Sequence, residues 1–336
     1  MDLTADKGFG RDPVPADADA FLAIAGWGGA EIAPLTGDAS FRRYFRVSGP
    51  RGTAMLMDAP PPHEDPRPFL RAAKWLDENG MRAPRILAED AVRGLVLRED
   101  FGDVRMREYL DAWPADEEEV YEHAVAALAR LHKLPPGPFT AYGLTEYQRE
   151  SRLFVDWWAP AQALTVDTAG WEAAWQEVLA PLLSRQRPGV TVMRDYHAEN
   201  IMLLGGLDRQ GLLDFQDALV GHRAYDLVSL LQDARRDVSE DLEARMVERY
   251  LALAGDQPEF RADYARLGAQ RNAKIVGIFV RLWKRDGKPR YLEMISRVWA
   301  MLERDLAHPA LAPVARWFEA NVPGELRASG GGSYGA

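Results

Sequence analysis

The spacing of apolar residues gives this chain two characters. In the first hundred or so residues the apolar runs are short and bounded by glycine and proline, a strand pattern; later they recur at helical spacing over long stretches. A short helix is predicted over 18–25. Residues 34–58 read as strand–turn–strand–turn–strand, in the pieces PLTGDAS, FRRYFRV and AMLMDA, with the turn SGPRGT before the last. Pro60, Pro61 and Pro62 halt the third strand, because proline lacks a ladder donor. Residues 66–79 predict a helix that starts at Pro66 and stops at Gly80, with Phe69, Leu70, Ala73, Trp75 and Leu76 available for packing. Strands follow at 85–88 and 94–98.

The character changes after Gly102. Over 116–134, Tyr121, Ala124, Val125, Leu128 and Leu131 recur on one helical face until Pro135 and Pro136 end the run. A tryptophan-rich helical stretch follows, with Trp157, Trp158, Trp171 and Trp175. Further helices are predicted near 224–234, 239–254, 260–285 and 290–305. The pattern therefore predicts an α+β chain: a small β-rich lobe over 16–100 and a large α-rich lobe over 101–327. Residues 1–15 and the glycine-rich tail 328–336 are expected to be mobile.

Between the helices lies MRDYHAENIMLLGGLDRQGLLDFQD, residues 193–217. Asp195 is followed five positions on by Asn200. An apolar run, turn formers at Gly205, Gly206, Asp208 and Gly211, and a second apolar run then lead to Asp214. A hairpin of this kind folds Asp214 back towards Asn200 and Asp195. Two carboxylates and a carboxamide suit Mg²⁺, a hard cation that takes oxygen ligands and commonly shares them with phosphate. One carboxylate remains to receive a proton from an attacking hydroxyl.

Composition narrows the options. The chain has 336 residues, is 47% hydrophobic and carries a formal charge of −10, so a sizeable core is expected and a non-specific nucleic-acid binder is not. Without cysteine there is no disulfide framework or thiolate nucleophile. No apolar run is long enough for a membrane span, and the N-terminus lacks a signal-peptide core, so a soluble cytoplasmic protein is expected; a monomer is expected too. Neither a G-K-[ST] P-loop nor a complete G-x-G-x-x-G occurs.

The Asp195–Asn200–Asp214 spacing resembles the catalytic segment of protein-kinase-like proteins, and His197 resembles the aminoglycoside phosphotransferase and choline kinase branch. The resemblance implies a two-lobed fold, ATP and Mg²⁺, with Asp195 as base and Asn200 and Asp214 as metal ligands. It makes Gly37, Asp38, Ala39, Ser40, Phe41, Arg42 and Arg43 a phosphate-covering hairpin, with Arg46 nearby, and Glu99 and Phe101 part of an adenine-reading hinge. An ordinary hairpin with solvated arginines, and a core Phe101, remain open. One departure matters: the third strand, Ala54–Ala59, has no lysine to hold the phosphates. Asp226 resembles the buried brace of the catalytic loop. His197 braces that loop or contacts substrate, and Asp217 supports the metal or contacts substrate.

LTGDASFRRYF, MDAPP, EDFGD, RDYH and DFQDA together look like the anomeric N-acetylmuramate/N-acetylglucosamine kinases of cell-wall (peptidoglycan) recycling. That resemblance implies transfer to the sugar C1 hydroxyl, giving an α-1-phosphate. Glu150, Arg152, Trp157 and Trp158 are candidates to line a sugar pocket, or else a core tryptophan pair with solvated charges. The alternatives are another small acceptor, such as choline, homoserine or an aminoglycoside, and a nucleotide-binding pseudokinase.

Overall fold

The computed structural model describes residues 13–35 and 42–334. Two compact units emerge: the described residues up to Val104 together with Gly211–Asp217, and Arg105–Gln210 together with the described residues from Ala218 onward.

The first unit is built on five strands, β1 (Glu31–Pro34), β2 (Arg43–Gly49), β3 (Gly52–Asp58), β4 (Ile86–Asp90) and β5 (Leu95–Glu99), all paired antiparallel in the order β1-β2-β3-β5-β4. The first strand begins earlier than its sequence pattern suggested, because Glu31 to Pro34 pair with Ser48 to Phe45. Strand alternation then sorts the sheet into two faces. Phe45, Val47, Ala54, Leu56, Leu95 and Leu97 form a core with Phe21 and Leu22 of α1 (Ala18–Ile24). Burying each large apolar side chain there contributes about 2 kcal/mol. The opposite face carries Tyr44, Arg46, Met55, Met57, Val96 and Arg98, with Arg46, Met55 and Arg98 in one cross-strand row. Helix α2 (Arg67–Glu78) buries Phe69, Ala72, Ala73 and Leu76, and Phe69 stacks on Phe215 of the returning segment with ring centroids 5.1 Å apart.

The second unit is helical: α3 (Met106–Ala112), α4 (Glu117–Leu131), α5 (Leu144–Leu153), α6 (Ala159–Ala161), α7 (Thr168–Arg185), α8 (Tyr225–Leu231), α9 (Glu240–Ala254), α10 (Phe260–Asp286), α11 (Ile295–Leu306), α12 (Ala312–Asn321) and α13 (Gly324–Ala328). In this unit the short strands β6 (Val190–Val192), β7 (Ile201–Leu203) and β9 (Leu219–Gly221) frame the Asp195 loop, and β8 (Gln210–Leu212) leads from it into the returning segment of the first unit. All five apolar residues predicted for the 116–134 helix face are buried on α4. Helix α10 runs through the middle of this unit and is buried along most of its length. Phe154, Trp158, Trp171, Trp299 and Phe318 form a continuous aromatic core. No helix among the described residues is long and apolar enough to cross a membrane.

The tail expected to be mobile is instead laid against this core as far as Tyr334; its last two residues lie outside the described set. Trp158 Nε1 donates to the Gly331 carbonyl at 2.9 Å. Gly330, Gly331 and Gly332 all have positive φ, and a Cβ at Gly331 would meet the Trp299 ring. Here glycine serves close approach rather than flexibility.

Candidate active site

The Asp195 loop sits between β6 and β7 and is fixed from beneath. Asp226, fully buried at the start of α8, accepts the backbone N–H groups of Met193 at 2.6 Å and Arg194 at 2.8 Å. This is the brace that the sequence suggested. Burial pushes its carboxyl up to about 7, against the opposing pull of those two N–H donors. The loop has left-handed backbone at Arg194 (φ 71°), an uncommon state for a residue with a Cβ. The Arg194 guanidinium is anchored on Glu150, which also accepts from Lys274 Nζ at 3.0 Å and from the Tyr142 hydroxyl. Burial works to raise the Glu150 carboxyl, but Lys274 and Arg194 outweigh it and keep it below its ordinary value.

Asp195 has the same kind of environment. Burial acts to raise it; Lys274, His197, Arg271 and Arg194 together hold it below the usual carboxylate range. The Arg271 guanidinium lies 3.9 Å from Oδ1, while the carboxyl keeps 43% of its side-chain surface exposed. An ionised carboxylate is thus presented at the surface of this unit from a cationic bed. Asn200 ends the following turn: its Nδ2 donates to the Asp195 carbonyl at 2.9 Å, so a cation would be met by Oδ1. His197 is buried beneath the loop, its Nε2 3.4 Å from Asn200 Nδ2. Burial pushes its imidazole below its ordinary value, and its Asn200 contact lies within the loop itself. The hairpin turn beyond is closed by Leu204 N–H donating to the Arg209 carbonyl at 2.7 Å.

Asp214, in the first unit, also has positive φ (56°), and Gln216 Nε2 donates to its Oδ1 at 2.7 Å. Arg194, Asp214 and Ala163 are the non-glycine residues with positive φ among those described. Of the three, Asp214 is a proposed functional group and Arg194 is next to one, as strain often is. Asp217 is exposed and lines a cavity of about 420 Å³ with Gln216, Arg42, His63 and Pro61–Pro68 residues. Asp195 and Asn200 belong to one compact unit and Asp214 to the other.

Several expected contacts are otherwise engaged. Gly37, Asp38, Ala39, Ser40 and Phe41 lie outside the described residues. Arg43 is on the α1 face of the sheet, where it binds Asp58, with Nε 2.9 Å from Oδ2, and the Pro13 carbonyl. Alternation puts it with Phe45, away from Arg46. Arg42 pairs with Glu64 at 3.5 Å, and Arg46 clamps Asp100 and Asp103, each at 2.7 Å. Glu99 pairs with Arg82 at 2.6 Å, and that guanidinium covers the Phe101 ring at 4.6 Å. Glu150 and Arg152, two apart on α5, face different ways: Glu150 inward, Arg152 outward to Asp156 and Glu172. Trp158 is fully buried among Phe154 and Trp299. The sequence reading missed Arg271 and Lys274. Their signal was a polar run, Gln270 to Lys274, in the middle of a helix too long to be exposed throughout.

The antiparallel sheet, the helical unit and the Asp–Asn loop that unit carries are those of a protein-kinase-like phosphotransferase. The chain belongs to the phosphotransferase enzyme family, whose model matches residues 31–269. It is 36% identical to an N-acetylmuramate/N-acetylglucosamine kinase of Caulobacter vibrioides, over 92% of this chain and 96% of the relative. It is 40% identical to the protein of the same name from Pseudomonas aeruginosa, over 85% and 88%. A choline/ethanolamine kinase family protein from Mesorhizobium loti shares the fold with a TM-score of 0.62 at 17% identity, over 90% of this chain and 97% of that one. The aminoglycoside phosphotransferase APH(2'')-Ib does so with a TM-score of 0.55 at 13% identity, over 85% and 97%.

Proposed function

We propose that this protein is an ATP- and Mg²⁺-dependent kinase that phosphorylates the anomeric C1 hydroxyl of N-acetylmuramate and N-acetylglucosamine. The product would be the sugar α-1-phosphate, in cytoplasmic salvage of cell-wall sugars. One observation carries the reaction: Asp195 is an ionised, half-exposed carboxylate on a loop fixed through Asp226 and Glu150. The acceptor is supported by the relatives, which are named for these two sugars and align over most of this chain.

In this reading the sugar hydroxyl donates a hydrogen bond to Asp195 and is thereby aimed at the γ-phosphorus. The new C1–O–P linkage forms as the bond from the γ-phosphorus to the ADP oxygen breaks. Asp195, held below the ordinary carboxylate range, is a weak base. It takes the proton only late, when the attacking oxygen has become acidic, so its first role is orientation. The oxygen donors of Asn200 and Asp214 fit Mg²⁺, which would neutralise phosphate charge during transfer.

The test combines ADP release with ³¹P NMR on N-acetylmuramate, N-acetylglucosamine, choline, homoserine and kanamycin. A new phosphorus signal coupled to H1 of the sugar is expected. Turnover confined to choline, homoserine or kanamycin overturns the acceptor. Nucleotide binding without product from any acceptor indicates a pseudokinase. Asp195→Asn should keep the fold and lower kcat by about 10²–10⁴-fold.

A further inference from the structure

The third strand lacks the lysine that would hold nucleotide phosphates: β3 places Met55 and Met57 on the face turned to α2. Three cations stand on the strands of this sheet: Arg43, Arg46 and Arg98. Arg43 is on the other face, bound to Asp58, and Arg46 holds Asp100 and Asp103. Arg98, on β5 directly across from Met55, is different. Its guanidinium lies 5.4 Å from the Tyr44 ring centroid and 5.9 Å from that of Phe69. Its Nε is buried without a hydrogen-bond partner, and among the described residues no carboxylate pairs with it. Two aromatic faces offset part of the desolvation of a guanidinium but supply no acceptor for its N–H groups. Arginine cannot escape by losing its proton. A half-buried guanidinium held between rings, with its charge retained and its Nε unpartnered, calls for an anion.

The surroundings say where that anion sits. Phe69 stacks on Phe215, the residue after Asp214, so the guanidinium and the Asp214 segment share one end of this face. The charges of Asp100 and Asp214 both act on Arg98. Asp100 is already held by Arg46 and by the Gly102 N–H. A group that carries several anionic oxygens and is also suited to an Asp214-bound cation is a polyphosphate.

We propose that Arg98, reaching from β5, is the cation that binds the nucleotide phosphates in place of a lysine on β3. The proposal rests on the kinase reading above. It is tested by calorimetry of ATP, ADP and adenosine, with Mg²⁺, on the wild type, Arg98→Met and Arg98→Lys. Arg98→Met should weaken ATP and ADP on the order of 30-fold or more, as loss of charged hydrogen bonds implies, and leave adenosine unchanged. Arg98→Lys should fall between, and KM for ATP should rise without a matching change in KM for the sugar. The urea midpoint of Arg98→Met should be no lower than wild type, because a half-buried guanidinium with no carboxylate partner among the described residues has been removed. Wild-type ADP affinity in Arg98→Met, or a parallel loss of adenosine and ADP, overturns the assignment while leaving the kinase reading intact. A wild-type protein that binds neither nucleotide overturns both.

Discussion

Glu150 shows how a single buried carboxylate can organise the charged groups around it. It is 3% exposed and receives Lys274, Arg194 and Tyr142. Two of these cations also set the charge state of Asp195. Removing the negative charge would leave a buried ammonium and guanidinium without their counterion. Breaking a buried ion pair from one side costs about 3 kcal/mol or more. Glu150→Gln should therefore lower unfolding stability by about that much, measured by urea denaturation. At temperatures where the variant is folded, KM for the sugar should stay near wild type. A raised sugar KM with unchanged stability would instead return Glu150 to the substrate-contact role expected from sequence. Sequence spacing put Glu150 and Arg152 together as candidates; only the rotation of α5 separates the buried one from the surface one.

At the scale of elements, α10 was legible as a helix and illegible as a scaffold. Its apolar pattern predicted 260–285, and the observed bounds are Phe260–Asp286. Nothing in that pattern told that Arg271 and Lys274 would face Asp195 and Glu150, because burial of charge depends on partners distant in sequence. Gly277 is the other such residue. A methyl group there would overlap the Leu153 carbonyl and the Phe154 nitrogen, where the backbone after α5 makes a π turn over Phe154–Trp158. Helix propensity alone would favour alanine by about 1 kcal/mol. The overlap is with backbone, which cannot rotate away, and overpacking of this kind costs about 1–3 kcal/mol or more. The clash should win: Gly277→Ala is expected to lower the urea midpoint rather than raise it. An unchanged or higher midpoint would show that the two segments are less tightly apposed than the structure has them.

Over the whole molecule, the change from short strands to long helices near residue 100 carried the fold class, since periodicity reports directly on which face is buried. The return of Gly211–Asp217 to the first unit was not visible, because no local pattern encodes it. The pH response is likewise a property of the whole chain, set by buried groups that oppose one another. His132, after α4, contacts the Tyr250 hydroxyl of α9 through Nδ1 at 2.7 Å. Burial, with Arg223 and His222 nearby, pushes its imidazole down to about 3. The folded state therefore binds this proton less well than the unfolded state. His132's contribution is full above pH 6.5 and is lost as pH falls towards 3. Asp226, pushed up by burial to about 7, works in the other sense: its contribution is full below pH 3.8 and fades as pH rises to about 7. Between pH 7 and 5 the histidine loses about 2 kcal/mol and the aspartate gains about 2 kcal/mol. These two terms nearly cancel, so neither is seen alone in the wild type. His132→Gln removes one arm of the balance. Relative to wild type, its stability should rise by about 2 kcal/mol between pH 7 and pH 5, whatever its offset at pH 7, read from urea denaturation at the two pH values. Parallel curves for the two proteins would mean that His132 takes up its proton as readily in the folded chain as in the unfolded one.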